Sequence, residues 1–582
     1  MVSKQLRARY SSPVGKTLGK KALIDLLCAE GVKYVFGIPG ATEIHFMDAL
    51  EECPRLTYVL GLHEAVCVGM AEGYARVSGK PGFLNLHTGP GIAAGLPLLY
   101  NAYYGHVPLV VTVGQNDSRL LQRDPHLSGD IVGTGRLYAK WATELAHAED
   151  LGTVLRRAFK SAQQSPPGPV VVSLPQDVLL QDCGSDPRPS MEVRSRLRPD
   201  REALAQALAL LREARHPVLM VESGVARSGA VEEVVRFAEL IGARVYQAWM
   251  ADVNFPVGHP QYLGDLDPTS PAAKEAFRQA DLLIGVGCSL FAEGFFNPES
   301  PLPADIKVLH VDDDPWELGK NLVTDCGVQA DIKTALAELN EALVAFQRDP
   351  HYQARSEERR AAIAEEKAAR ERRFTQALES ARRQVQADPA GPVPVAYLMQ
   401  EIKLALAEVA PEAIVVDECW SSSEALRHIV GFDRPGSYLR SRKGGSIGGG
   451  IPLAVGAQLA APHRSVLAVV GDGGAAWSLQ GLWTAAHYRV PVTFVITNNG
   501  TYRQVKLVRR LVLGDYPLTE RHVGMEIDDP STDFSRLAAA MGVVSERVTK
   551  PARVGEALRA ALTDARRERR PHLVEVMVEN PA

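Results

Sequence analysis

Two apolar runs near the C-terminal end constrain this chain more than any other feature. SVLAVVGDGG closes one hydrophobic stretch at Gly471-Asp472-Gly473, PVTFVITNNG closes the next at Asn498-Asn499, and a helix-like stretch, AWSLQGLWTAAHYR, lies between them. Continuous apolar runs without polar alternation suit strands covered on both faces, and strands joined through a helix run parallel. A right-handed crossover would set the two run ends side by side at the carboxyl edge of the sheet, where ligands of open α/β folds bind.

The same alternation recurs along the chain. Over 14–188 the runs KYVFGI, PLVVTVG and PVVVSLP alternate with ALIDLLCAEG and EAVCVGMAEGYARV; 200–345 carries HPVLMVESG, DLLIGVG and IKVLHVDDD; 391–582 adds AIVVDE and HLVEVMVE to the two runs above. An α/β protein of three doubly wound parallel-sheet domains is expected, since 582 residues are too many for one core. The first and third regions share an architecture at similar length. Residues 346–390 are nearly all charged or alanine (SEERRAAIAEEKAARERRF), with acid and base pairs at i,i+4 spacing, and predict a charged helical connector with a solvated face.

Mixed signs and a net charge of only -5 leave no footprint for nucleic acid or an anionic membrane. The opening MVSKQLRARYSSPVGKTLGK has positive charges but no apolar run behind them, so neither a secretory signal nor a spanning helix is read, and a cytoplasmic protein is expected. Seven scattered cysteines without a CxxC pair predict reduced, mostly buried thiols rather than disulfides or a zinc site.

Gly471, Gly473 and Ala476 also fit the dinucleotide pattern G-x-G-x-x-G/A. That reading would aim the Asp472 carboxylate at a bare pyrophosphate and put asparagines where a ribose-binding acid belongs. A metal removes the objection. Magnesium takes about six oxygens, and one carboxylate, one amide oxygen, a main-chain carbonyl, a water and two phosphate oxygens would complete its octahedron. Singly, Asp472 and Asn499 are ordinary turn residues; together at two strand ends they form a hard-oxygen set.

GDG followed at this interval by NN resembles the signature of the thiamine-diphosphate enzymes, and the likeness covers nearly the whole chain. It implies an aminopyrimidine-binding first domain, a structural middle domain and a last domain that binds the diphosphate. The cofactor would be thiamine diphosphate with Mg2+, or Ca2+ in its place, the metal held by Asp472, Asn499 and the backbone of Thr501 beside Gly471, Gly473 and Gly474. Glu64, where a strand gives way to a helix in TYVLGLHEAVCVGMAEGYARV, matches the glutamate that protonates the aminopyrimidine ring; without the likeness it reads as an acid favoured in a helix's first turn. RKGGSIGGGIPLAVGAQLA places Ile447 beneath the cofactor's bend and the Gly445 carbonyl at its amino group. Ser421 and Ser422 in VVDECWSSSEAL are candidates for the diphosphate oxygens, and serines also cap helices routinely. The likeness further implies a homo-oligomer, a dimer sharing active sites between subunits, with tetramers usual.

GIPGATEIHF, LHEAVCVGMAEGYA, NLHTGPG and LWTAAHYRVPVTFVITNNGTY are similar to the benzoylformate decarboxylases, in which His87 would be the catalytic histidine; it could equally bond its own Gly-Pro-Gly turn. Two positions depart from that pattern: Ala41 stands where those enzymes have a serine, and Gly294 where they have a second histidine. Gln504, with Arg503 and Lys506, stands where an aromatic-substrate pocket would be apolar. HTGPG and VVTVGQND, with Gln115, are similar to the acetolactate synthases, but GCSLFAEGFFNPES lacks their flavin segment and no FAD is expected. The expected activity is non-oxidative decarboxylation of a 2-keto acid. A carboligase or acyloin lyase working on keto acids and aldehydes is the alternative, and a non-catalytic thiamine-diphosphate-binding subunit comes third.

Overall fold

The computed structural model describes residues 16–184, 186–191, 196–248, 250–268, 270–292, 294, 300–441, 443–514 and 522–580. The N-terminal reading, and parts of GCSLFAEGFFNPES and YRQVKLVRRLVLGDY, lie outside the described residues. Each apolar run becomes a strand, and the described residues form three six-stranded sheets, each parallel throughout.

In the first sheet the strand order is Thr57–Leu60, Tyr34–Gly37, Gly82–Leu86, Leu109–Gln115, Val170–Pro175, Trp141–Glu144. The last sheet runs Tyr438–Arg440, Ile414–Glu418, Val466–Gly471, Val492–Asn498, His572–Met577, Val544–Val548. Numbered within each sheet, both read 2-1-3-4-6-5. The middle sheet differs: Tyr262–Leu266, Arg244–Ala248, Pro217–Val221, Leu282–Val286, Lys307–Asp312, Cys326–Gln329, or 3-2-1-4-5-6. An open parallel sheet has its ligand crevice where the strand order reverses. In the last sheet that point lies between Ile414–Glu418 and Val466–Gly471; in the middle sheet, between Pro217–Val221 and Leu282–Val286.

The chain divides into two compact units. One holds the first sheet together with Ile451–Pro462 and Ser478–Val490, and the other holds the middle and last sheets. In the first unit the helix Glu64–Ser78 packs so tightly on the segment from Ile451 that a Cβ on Gly73 would lie 2.0 Å from the Leu453 carbonyl oxygen, and one on Gly456 1.9 Å from that of Met70. Only glycine permits that approach. In the second unit one apolar core runs from Leu219 and Ile284 of the middle sheet to Val415 and Val469 of the last.

The charged segment is a helix, Pro350–Ala387, but it is not simply solvated. Tyr352, Ile363 and Lys367 are buried, and its cations cap carbonyls of the middle region: Lys367 donates to Val257 at 2.8 Å and Arg359 to Ile241 at 2.6 Å. The charged composition hid this because the buried positions, Tyr352, Ser356, Ile363, Lys367 and Ala381, are few and widely spaced. All seven cysteines are free thiols, with Cys28 alone half-buried and its sulfur 3.6 Å from that of Cys53. Among the described residues no helix is long and apolar enough to cross a membrane.

Candidate active site

Parallel pairing of Val466–Gly471 with Val492–Asn498 sets Gly471 opposite Thr497, so the two chain ends emerge together. Asp472, 5% exposed, opens a short helix there. One of its oxygens accepts from Gly473 N–H at 2.9 Å; the other accepts from Asn499 N–H at 3.1 Å and Gly500 N–H at 2.7 Å. Every hydrogen bond to this carboxylate among the described residues comes from backbone, and no side-chain cation neutralises it. Burial pushes its carboxyl above the usual range, and the N–H donors offset that only in part. Gly500, at φ +67, makes the turn, and a Cβ on Gly473 would lie 2.5 Å from the Tyr502 ring. Asn499 accepts from Thr501 N–H at 3.1 Å, while the Thr501 hydroxyl donates to Met525 at 2.7 Å.

These residues border a cavity of about 370 Å³ whose walls include Ser421, Ile447, Asp472, Asn499, Thr501 and Gln504. Its donors are oxygens, the set magnesium or calcium prefers. Among the described residues no three His, Cys, Asp or Glu side chains converge as a metal cluster. A cation here would therefore draw further oxygens from its ligand, as a diphosphate supplies. The buried carboxylate, with the Asn499 amide and Thr501 beside it at the edge of a largely apolar cavity, fits a metal–diphosphate group.

Other expected residues fall in different places. Ser422 is buried in the turn Trp420–Ser422, and Gly445, at φ +76, has Met250 as its neighbour. Arg503 borders the cavity at the start of the helix Arg503–Leu513, whereas Lys506 is paired with Glu526 at 2.6 Å. Gly294 is exposed, and no atom of the described residues lies within 4 Å of where a Cβ would stand.

Sequence reasoning missed Glu418, the last residue of Ile414–Glu418 and 3% exposed. It accepts from three successive backbone groups, Gly448 N–H at 2.7 Å, Gly449 N–H at 3.0 Å and Gly450 N–H at 2.7 Å. Burial pushes its carboxyl up to about 7 against the pull of those donors.

In the first unit Glu64 opens its helix after His63, whose ring accepts from Ala65 N–H at 3.2 Å. The Glu64 carboxylate has no hydrogen bond or ion pair among the described residues, and Gly91 leaves room beside it, since a Cβ there would come within 3.2 Å of Oε1. His87 is held at Nδ1 by Glu43, at 2.7 Å. Glu43, also missed, is 2% exposed and further fixed by Gly40 N–H at 2.8 Å and the Thr42 hydroxyl at 2.7 Å. The pair requires glycine around it: a Cβ on Gly114 would fall 1.6 Å from Glu43, and one on Gly40 2.1 Å from His87 Nδ1. Ala41 begins the same turn, Ala41–Glu43. The Gln115 amide is engaged with the Gly129 carbonyl, Glu144 and Asn116 N–H.

Residues 18–133 match the N-terminal TPP binding domain of the thiamine pyrophosphate enzymes, 204–339 their central domain and 421–576 their C-terminal TPP binding domain. The chain is 32% identical over 563 residues to benzoylformate decarboxylase of Pseudomonas aeruginosa, covering 95% of this chain and 98% of that one. It is 31% identical over 544 residues to acetolactate synthase of Mycobacterium bovis, covering 91% of this chain and 83% of that one. A solved thiamine diphosphate-dependent 4-hydroxybenzoylformate decarboxylase from Rhodococcus jostii RHA1 superposes with a TM-score of 0.82 at 28% identity, covering 97% of this chain and all of that one. With three family domains matched in order along its length, the chain belongs to the thiamine pyrophosphate enzymes.

Proposed function

We propose that this enzyme decarboxylates a 2-keto acid non-oxidatively, using thiamine diphosphate and Mg2+. When bound, the cofactor supplies a nucleophilic carbon and an electron sink at the substrate carbonyl. The Asp472 and Asn499 side chains and the Thr501 carbonyl would hold the metal, with Ser421 and the Gly471–Gly474 segment against the diphosphate. Glu64 would exchange a proton with the aminopyrimidine ring. Its lack of a hydrogen bond or ion pair among the described residues supports that role, because an acid spent on a salt bridge would be unavailable.

The observation that carries decarboxylation is the Glu43–His87 pair. With Nδ1 donating to a buried carboxylate, the ring is fixed in one tautomer and Nε2 is left to move a proton at the substrate's former carbonyl. Loss of carbon dioxide leaves a carbon that must be protonated before aldehyde can depart, and a histidine so held suits that step. Active sites shared between two copies, in a dimer or a tetramer, and a cytoplasmic location belong to the same reading.

The test is incubation with single 2-keto acids, pyruvate, benzoylformate and branched ones, with and without an acceptor aldehyde. Carbon dioxide with free aldehyde is the expected outcome. A 2-hydroxy ketone formed only with acceptor would instead favour carboligation, the reading that the likeness to acetolactate synthase supports. No carbon dioxide and no ketone from any of them would sink both.

A further inference from the structure

Gly448, Gly449 and Gly450, just ahead of Ile451, have no side chains to fix them, and Gly448 sits at φ +92. What holds their N–H groups is one carboxylate. Glu418 takes Gly448 and Gly449 N–H on one oxygen and Gly450 N–H on the other. Gly450 opens the helix Gly450–Ala460, so these are among the N–H groups that a helix start leaves without partners. The fit is close on two sides: a Cβ on Gly450 would lie 2.8 Å from the Glu418 Cβ, and one on Gly474 would lie 3.2 Å from its Cδ. The carboxylate is thus wedged between the turn that carries Ile447 and the segment that carries Asp472. Ile447 and Ser421, which both border the cavity, lie within three residues of the clamp, one on each strand of chain it joins.

We propose that Glu418 is a positioning residue for cofactor activation: by clamping the three N–H groups it fixes Ile447 under the cofactor and registers that turn against the Asp472 loop. The proposal rests on the thiamine-diphosphate reading above. Glu418 touches neither substrate nor cofactor in this role and acts through Ile447. In Glu418→Gln the amide oxygen still accepts from Gly448 and Gly449, but its NH2 meets Gly450 N–H donor to donor, so the clamp opens on the helix side.

The experiment uses the full-length protein with thiamine diphosphate and Mg2+. Cofactor binding is followed by tryptophan fluorescence, and exchange of the bound cofactor's C2 proton for deuterium is followed by NMR. Failure of the wild type to bind would overturn the thiamine-diphosphate reading and this one with it. With binding established, Glu418→Gln is expected to slow exchange per bound cofactor roughly 10- to 100-fold, the scale of an ångström's misplacement. Adding it to Ile447→Ala should then slow exchange no further than Ile447→Ala alone. Wild-type exchange in Glu418→Gln, or losses that simply add in the double variant, would overturn the positioning role. If Glu418→Gln gives no cooperative melt, Glu418→Asp, which keeps the charge on a shorter arm, carries the same measurement, and wild-type exchange there has the same meaning.

Discussion

The middle and last sheets both place acids at the point where strand order reverses, and they treat them in opposite ways. In the middle sheet the crevice is filled. Gly224 N–H donates to the Gly287 carbonyl at 3.0 Å, and a Cβ on Gly224 would strike Gly287 at 2.6 Å. Glu222 accepts from Ser289 N–H at 2.9 Å, Asp313 is paired with Arg227 at 2.7 Å, and Glu317 takes Lys443 at 3.0 Å and Lys320 at 2.7 Å. In the last sheet Asp472, among the described residues, receives backbone N–H groups alone, beside an open cavity. Buried charge that a side-chain cation neutralises is structure; buried charge left with only dipoles around it is a demand for something brought from outside. Glu64, without any partner among the described residues, is the same demand in the first unit.

Glu64→Gln tests that demand most severely. It should leave the fold intact and lower turnover by roughly 10² to 10⁴, the usual worth of a positioned proton-transfer group. Near-normal turnover would remove Glu64 from the chemistry. Asp472→Asn comes next: it should weaken magnesium-dependent binding of thiamine diphosphate by at least roughly 10²-fold, more than the loss of an outer partner costs. The melting temperature of the cofactor-free protein should meanwhile change little, because losing the buried charge offsets the N–H group that the new amide NH2 would face. A large fall in that temperature would place Asp472 with the structural charges.

Glu43→Gln sits between the two kinds, since Glu43 is fully partnered yet its partner faces the chemistry. Turnover should drop by roughly 10² with little change in KM, because the imidazole loses its fixed tautomer while substrate contacts stay. A change confined to KM, measured by steady-state kinetics on the preferred keto acid, would mean that Glu43 shapes the pocket and does not govern a proton.

These contrasts also mark what was legible in the sequence. Asp472 and Asn499 could be proposed because each follows an apolar run, where sheet geometry brings a side chain to an edge, whereas Glu64, opening a helix, could be proposed only on the family likeness. Glu418 ends a run in the same way, but its meaning lies in glycines 30 and more positions onward, and nothing local separates it from any strand-end acid. Glu43 looks like an acid that caps its own turn, which it does at Gly40 N–H, and His87 lies 44 positions away. Three parallel sheets followed from the apolar runs. The order 3-2-1-4-5-6 of the middle sheet did not, since strand order depends on which way each crossover turns. The buried face of Pro350–Ala387 was hidden because its few buried residues are widely spaced among charged ones.

The smallest effect expected is in the middle sheet, and its sign is what matters. Burial pushes the Glu317 carboxyl up, but Lys443 beside it, with hydrogen bonds from Lys320 and Ser289, prevails and holds it at about 2 against an ordinary 4.5. The folded value lies below the unfolded one, so the stabilisation is present above pH 4.5 and is lost as pH falls toward 2. Urea titrations at a series of pH values should therefore show wild-type stability falling more steeply across that window than in Glu317→Gln. The difference should stay under about 1.4 kcal/mol per pH unit, the one-proton limit, because partly exposed lysines are screened. Turnover at neutral pH should hold in the variant. Parallel slopes would mean that solvent, not Lys443, balances Glu317, and a loss of turnover would mean that the middle crevice is coupled to the chemistry rather than closed off from it.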